Sequence, residues 1–168
     1  MINDVFTAAR TGDVNRVKDL LDTDLSLANA ENSDGLTLLG FAAHFGQSEV
    51  VRLLLENGAD VNALSHSKVS YIPSNTALHA AIAGERSLEV IQLLLAHRAK
   101  PTIMDSNGHT SLHVAAFHKD STQIIELLIN QGADVNAKSE DGVYAIDLAK
   151  EQGHTAVIGL LREHGAIG

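Results

Sequence analysis

The chain has 168 residues, 45% of them apolar and 20% charged, which suits one packed domain and excludes a disordered chain. It has no cysteine, so disulfides, cysteine-ligated zinc, iron–sulfur clusters and thiol catalysis are excluded. Twelve basic against twenty-one acidic residues leave a net charge of −9, and only 4% of residues are aromatic, with no tryptophan; no nucleic acid is expected as a partner, because phosphates would be repelled and stacking platforms are scarce.

Two motifs recur in phase. Thr37-Leu38-Leu39 is followed after 39 residues by Thr76-Ala77-Leu78-His79, after 34 more by Thr110-Ser111-Leu112-His113, and after another 34 by Tyr144-Ala145-Ile146-Asp147. Gly58-Ala59-Asp60-Val61-Asn62-Ala63 returns as Gly132-Ala133-Asp134-Val135-Asn136-Ala137. Between them lies the degenerate copy Arg98-Ala99-Lys100-Pro101-Thr102-Ile103, and a truncated copy, Gly165-Ala166-Ile167, comes last. A period near 33 with these two motifs resembles the ankyrin repeat, over essentially the whole chain. The resemblance implies an all-α fold: an α-solenoid of about five helix pairs, joined by β-turn or hairpin fingers.

In chain order, residues 2–30 match only the helical part, Phe6–Gly12 and then Val14–Leu21, and are read as an N-terminal cap. Units 31–63, 64–103 and 104–137 follow, and 138–168 closes the array as a C-terminal cap. Thr37, Thr76 and Thr110 stand where a hydroxyl caps each first helix. Ala42-Ala43, Ala80-Ala81 and Ala115-Ala116 keep those helices thin. The runs around Val50–Leu55, Val90–Leu95 and Ile124–Ile129 give the second helices an apolar face. Gly58, Gly132 and Gly165 suit the left-handed residue past a helix end, and Asp34-Gly35, Asn107-Gly108 and Asp141-Gly142 suit finger tips.

Residues 1–63 carry a net −6, residues 64–103 a net +2 and residues 104–168 a net −5. No Pro/Gly/Ser-rich linker separates them, so residues 1–168 are read as a single domain with a less acidic middle. Met1 to Val5 has no basic or long apolar leader, and no apolar run approaches a membrane span, so no membrane association and a cytoplasmic address are expected. Polar residues at both ends, among them Asp13, Arg16, Arg162 and Glu163, point to a monomer.

Three departures break the pattern. The finger Leu64–Asn75 is about six residues longer than its counterpart and lacks an Asp-Gly tip. One extra residue falls near Gly84–Ser87 and another near His118–Ser121, which makes Ser87 or Asp120 the expected N-cap of the following helix. Arg98 replaces glycine at a left-handed position, at a cost of about 1 kcal/mol.

Nine histidines raise a metal-site reading around His109, His113 and His118. His109 precedes the helix that holds His113, so the i, i+4 geometry fails, and no metal site and no cofactor are expected. The resemblance places His79 and His113 in hydrogen bonds between fingers. No hydrolase elbow, phosphate loop or H-E-x-x-H is present, so no enzyme and no catalytic residues are assigned. Asn62 and Asn136 stand where some ankyrin proteins are hydroxylated; they are read as bonding their own loops.

The resemblance implies a non-catalytic module that binds a protein partner through a concave groove of finger tips and first-helix faces. By motif position the groove takes Leu36, His44 and Phe45 from the second unit, and Tyr71, Ile72, Asn75 and Ala83 from the third. The fourth gives His109, Phe117 and His118, and the fifth Val143 and Glu151. Leu36, Phe45, Tyr71, Phe117 and Val143 are large apolar groups expected to stand exposed. The alternatives are a metal- or small-molecule-dependent enzyme built on the histidines, or a structural subunit of a larger complex.

Overall fold

The computed structural model of the chain describes all 168 residues, and its regular structure is helical, with only two isolated β-bridges at Glu31–Thr37 and Lys138–Tyr144. The chain packs as two compact units, residues 1–99 and 100–168. In the first, the helix pairs are α1 (Ile2–Thr11) with α2 (Val14–Thr23), α3 (Leu38–His44) with α4 (Ser48–Glu56), and α5 (Ala77–Gly84) with α6 (Leu88–Ala96). First helices pack on first helices, α1 on α3 and α3 on α5, while α2, α4 and α6 form a second layer. The second unit repeats the arrangement with α7 (Ser111–His118), α8 (Thr122–Asn130), α9 (Ala145–Gln152) and α10 (Thr155–Glu163), α7 packing on α9 and α8 on α10.

These helices are short, so their ends matter as much as their faces. The Thr37 hydroxyl accepts from the Gly40 N–H at 3.0 Å. Thr76 and Thr110 cap α5 and α7 in the same way, and there the histidine three residues on closes a capping box: Nδ1 of His79 and of His113 accepts the cap residue's own N–H. The alanine pairs are buried between first helices, and Val50, Val51, Leu54, Val90, Ile91, Leu94, Ile125 and Leu128 are the buried faces of the second helices. Arg98 is left-handed, with φ 68°, as its position requires, and so is Glu85, with φ 54°.

Two local expectations are corrected. The N-cap of α8 is Ser121, whose hydroxyl accepts from the Ile124 N–H. Asp120 instead reaches forward to the start of α10, where its carboxylate accepts from Val157 N at 2.9 Å and Ala156 N at 3.4 Å. The electrostatics are those of an N-cap, supplied by a neighbouring repeat. Asn62 and Asn136 do not bond only their own loops. Asn136 donates to the Gly165 carbonyl and accepts from Ile167 N, both at 3.0 Å, and Asn62 donates to the Arg98 carbonyl at 3.2 Å. Asn29 makes the same rung, to Gly58 O and Asp60 N. These amides tie successive loops together.

Ser111 is the first residue of α7 and is fully buried, yet its hydroxyl has no hydrogen-bond partner. The same position holds Leu38, Ala77 and Ala145 in the other pairs. Ser111→Ala removes an unpaired buried polar group and should stabilise the fold by about 1 kcal/mol. A raised urea midpoint at unchanged slope is the expected reading; a lowered midpoint would show that the hydroxyl finds a partner.

Candidate functional site

In the first unit the long finger is built as a closed loop. At its base Ser65 N donates to Asn75 O at 2.9 Å and Asn75 N to the Ser65 hydroxyl at 3.0 Å; higher up, Ser67 N donates to the Ser74 hydroxyl at 3.1 Å. Ile72 N donates to Val69 O and closes the tip. The finger leans on its predecessor through His66 N to Gly35 O and Lys68 N to Asp34 O, both 2.9 Å, and the His66 ring meets the Glu31 carboxylate at 2.6 Å. Tyr71 stands on this scaffold at 85% exposure, the most open of the large hydrophobic side chains, while Ile72 and Asn75 are half-buried.

Leu36 and Phe45, expected to stand free, are half-buried instead. Phe45 is the last of an edge-to-face series: Phe6 on Phe41 with centroids 5.2 Å apart, then Phe41 on Phe45 at 5.0 Å. The Arg86 guanidinium lies over the Phe45 ring, 4.8 Å from its centroid, and the His44 ring meets Phe45 edge-on at 5.1 Å. Burial pushes the His44 imidazole below its ordinary pKa, and the Arg86 charge adds to the effect.

In the second unit Phe117, at 43% exposure, and His118 are exposed on the last turn of α7, ring against ring at 5.3 Å. His109 lies before the helix and stacks on His113, with centroids 5.7 Å apart. His113 is buried, and its Nε2 donates to the Val143 carbonyl at 2.9 Å, the bond between fingers that the motif implies. Val143 is half-buried rather than exposed; its N–H donates to the Ser139 hydroxyl, and its carbonyl accepts from both His113 Nε2 and Ser139 N. No three histidine or carboxylate side chains are grouped to hold one metal ion. Ala83 is half-buried and Glu151 exposed.

Sequence reasoning passed over Arg86 and Phe41, and also Leu64 and Met104, which are 44% and 39% exposed. The last two follow the loop motif directly, where the fifth unit carries Lys138, so an apolar residue at a position otherwise polar was the available signal. No helix is long and apolar enough to cross a membrane.

Comparison with known proteins agrees with this architecture. A family model described as ankyrin repeats in three copies matches residues 5–65 and 64–139. An ankyrin repeat protein of fowlpox virus is 35% identical over 135 residues, which is 78% of this chain and 38% of that protein. The E3 ubiquitin-protein ligase XBAT33 of Arabidopsis thaliana is 41% identical over 114 residues, 67% of this chain and 21% of the ligase. A homologue of transient receptor potential cation channel subfamily A member 1 from Caenorhabditis elegans is 33% identical over 150 residues, 89% of this chain and 12% of the channel. The chain thus spans well under half the length of each of these relatives.

Proposed function

The chain belongs to the ankyrin-repeat family, and from that premise we propose that it is a non-catalytic interaction module that binds a protein partner through its fingers and the outward faces of its first helices. The observation that carries this reading is the exposure of two aromatic side chains on those elements, Tyr71 at 85% and Phe117 at 43%, each on a hydrogen-bonded scaffold that does not need it for packing. Large aromatics left open at ordered positions are the usual anchors of protein interfaces. Leu36, His44, Phe45, Ile72 and Asn75 accompany Tyr71 in the first unit, and His109, His118 and Val143 accompany Phe117 in the second. The ligase and channel chemistry in the relatives' names belongs to whole proteins of which this chain covers 21% and 12%. No catalytic step is assigned to it.

We read residues 1–168 as one cooperative domain and as a cytoplasmic monomer. Polar caps support the monomer: Arg16 pairs with Asp4 between α1 and α2, and Lys18 with Asp22 at 2.6 Å. A single calorimetric transition and a monomer mass in light scattering are the expected results. A stable dimer would reassign part of the apolar surface to self-association.

The test of the surface is a binding titration against the partner recovered by capture from native lysate. Tyr71→Ala and Phe117→Ala should each weaken binding by about 2 kcal/mol, roughly thirtyfold. Their melts should match the parent, since neither ring is buried. Glu163→Ala, on the exposed end of α10, should change neither. Normal binding by both aromatic variants, with loss on substitution of exposed second-helix residues such as Gln92 or Gln123, would place the interface on the other face.

A further inference from the structure

We propose that the single-residue insertion between α5 and α6 builds a docking point for a carboxylate of an acidic protein segment: the exposed Arg86 guanidinium, laid on the Phe45 ring beside His44. The proposal rests on the reading that the first-helix face meets a protein partner, and it names what that partner presents to the first unit.

The register of the repeats identifies the inserted residue. From the cap Thr37 to Gln47, the N-cap of α4, is ten residues; from Thr76 to Ser87, the N-cap of α6, is eleven. Left-handed Gly46 and left-handed Glu85 both stand nine residues after their cap threonine, so the added residue is Arg86. The interval from Thr110 to Ser121 is also eleven, and there Asp120 stands at the position of Arg86, ten residues after the cap threonine. Asp120 is fully engaged within the fold, on the backbone of α10. Arg86 is not. Arg86 enters none of the ion pairs made by Arg16, Lys18, Arg52, His66 and Lys150. Its guanidinium lies over the Phe45 ring, and its charge acts on His44.

Stacking on an aromatic face fixes the plane of a guanidinium and leaves its N–H edge free to donate. The support beneath is rigid. Phe45 is braced edge-on by Phe41 and His44, and the backbones pass so closely that a Cβ on Gly46 would lie 2.9 Å from the Arg86 Cβ, and one on Gly84 2.2 Å from the His44 carbonyl oxygen. The α3 and α5 helices both end here, and their C-terminal carbonyls favour a cation at this spot. A planar fork held in advance matches the two oxygens of a carboxylate. The surroundings suit an acidic rather than a basic guest, since the stretch 64–103 is the one part of an acidic chain with net positive charge. Burial and, after it, the Arg86 charge push the His44 ionisation downward, and its bond to the Ala80 backbone pushes it upward; Glu85 is the acidic neighbour of Arg86 in the chain. A docked carboxylate would act upward, so binding should carry a proton to His44.

The full chain, isotopically labelled, is titrated with an acetylated and amidated hexapeptide alternating leucine and glutamate, and with a control in which glutamine replaces each glutamate. The glutamate peptide should shift the Arg86 Nε–H resonance, raise the pH at which the His44 ring titrates, and bind at least about tenfold more tightly than the control. Arg86→Gln should abolish the preference with an unchanged melt, and Arg86→Lys, which keeps the charge but not the fork, should restore only part of it. Equal affinity for the two peptides, no binding of either, or a preference that survives Arg86→Gln overturns the proposal. Perturbation of Tyr71 and Phe117 by both peptides with Arg86 unmoved removes the carboxylate docking point and leaves the interaction surface standing; perturbation confined to second helices removes both.

Discussion

Gly35→Ala should destabilise the protein by about 3 kcal/mol, through strain of about 1–2 kcal/mol at a left-handed residue and a similar cost of forced overlap. Gly35 has φ 76°, and a Cβ there would lie 1.9 Å from the His66 carbonyl oxygen and 2.6 Å from its carbon. Both are backbone atoms, so no side chain can swing away. The seam between the two fingers must open, and with it the bonds from His66 N to Gly35 O and from Lys68 N to Asp34 O. Gly58 supplies the internal control: its φ is 87°, but nothing lies within 4 Å of its Cβ position, so alanine there should cost only about 1 kcal/mol. Urea midpoints at unchanged slope measure both. Equal losses at the two sites would mean that the long finger moves aside freely. In that case Tyr71 would not be held at a fixed place, and the surface built on it would lose its main anchor.

What could be read in the sequence was whatever repeats. Thr37, Thr76 and Thr110 announce helix starts because a hydroxyl at a cap acts within three residues, and the alanine pairs and aliphatic runs announce faces because their period is that of the helix. Asp120 and Asn136 were misassigned for the opposite reason. Each bonds a residue about thirty or more positions away, Val157 for Asp120 and Ile167 for Asn136, and no local spacing encodes that choice. The same blindness hid the covering of Phe45. Motif position put it on the first-helix face, but the Arg86 that lies over it comes from a loop forty residues on, and the extra residue in that loop was visible only as a length. Tyr71 and Phe117, with no such neighbour laid over them, are exposed as expected.

His113→Ala should cost about 3 kcal/mol, and the wild-type protein should lose stability on mild acidification in a way that His113→Gln blunts. The imidazole is 1% exposed and fully committed. Its Nδ1 accepts the Thr110 N–H at 3.3 Å, so the ring proton sits on Nε2 and is donated to the Val143 carbonyl at 2.9 Å. Truncation leaves the buried Thr110 amide without its acceptor, at about 1–3 kcal/mol, and takes from the Val143 carbonyl one of its two donors, the other being Ser139 N at 2.9 Å, beside the lost packing. Protonation is unfavourable for the same reason, since the second proton would face the Thr110 donor. Burial is the largest cause pushing the His113 pKa below its ordinary value of 6.5; the Val143 bond and Asp105 pull the other way, and stacked His109 adds to the lowering. The unfolded chain therefore takes up the proton first. The stabilising contribution is complete above the unfolded value of 6.5 and drains away as the pH falls from there towards the folded value. Half-buried His44, lowered chiefly by burial and next by Arg86, adds to the loss over the same window. Melts between about pH 7.5 and pH 5.5 should show the midpoint falling, less steeply in His113→Gln and less again when His44→Gln is added. A wild-type midpoint that rises on acidification through this range would mean that the buried ring accepts its charge, which the Thr110 bond as drawn does not allow.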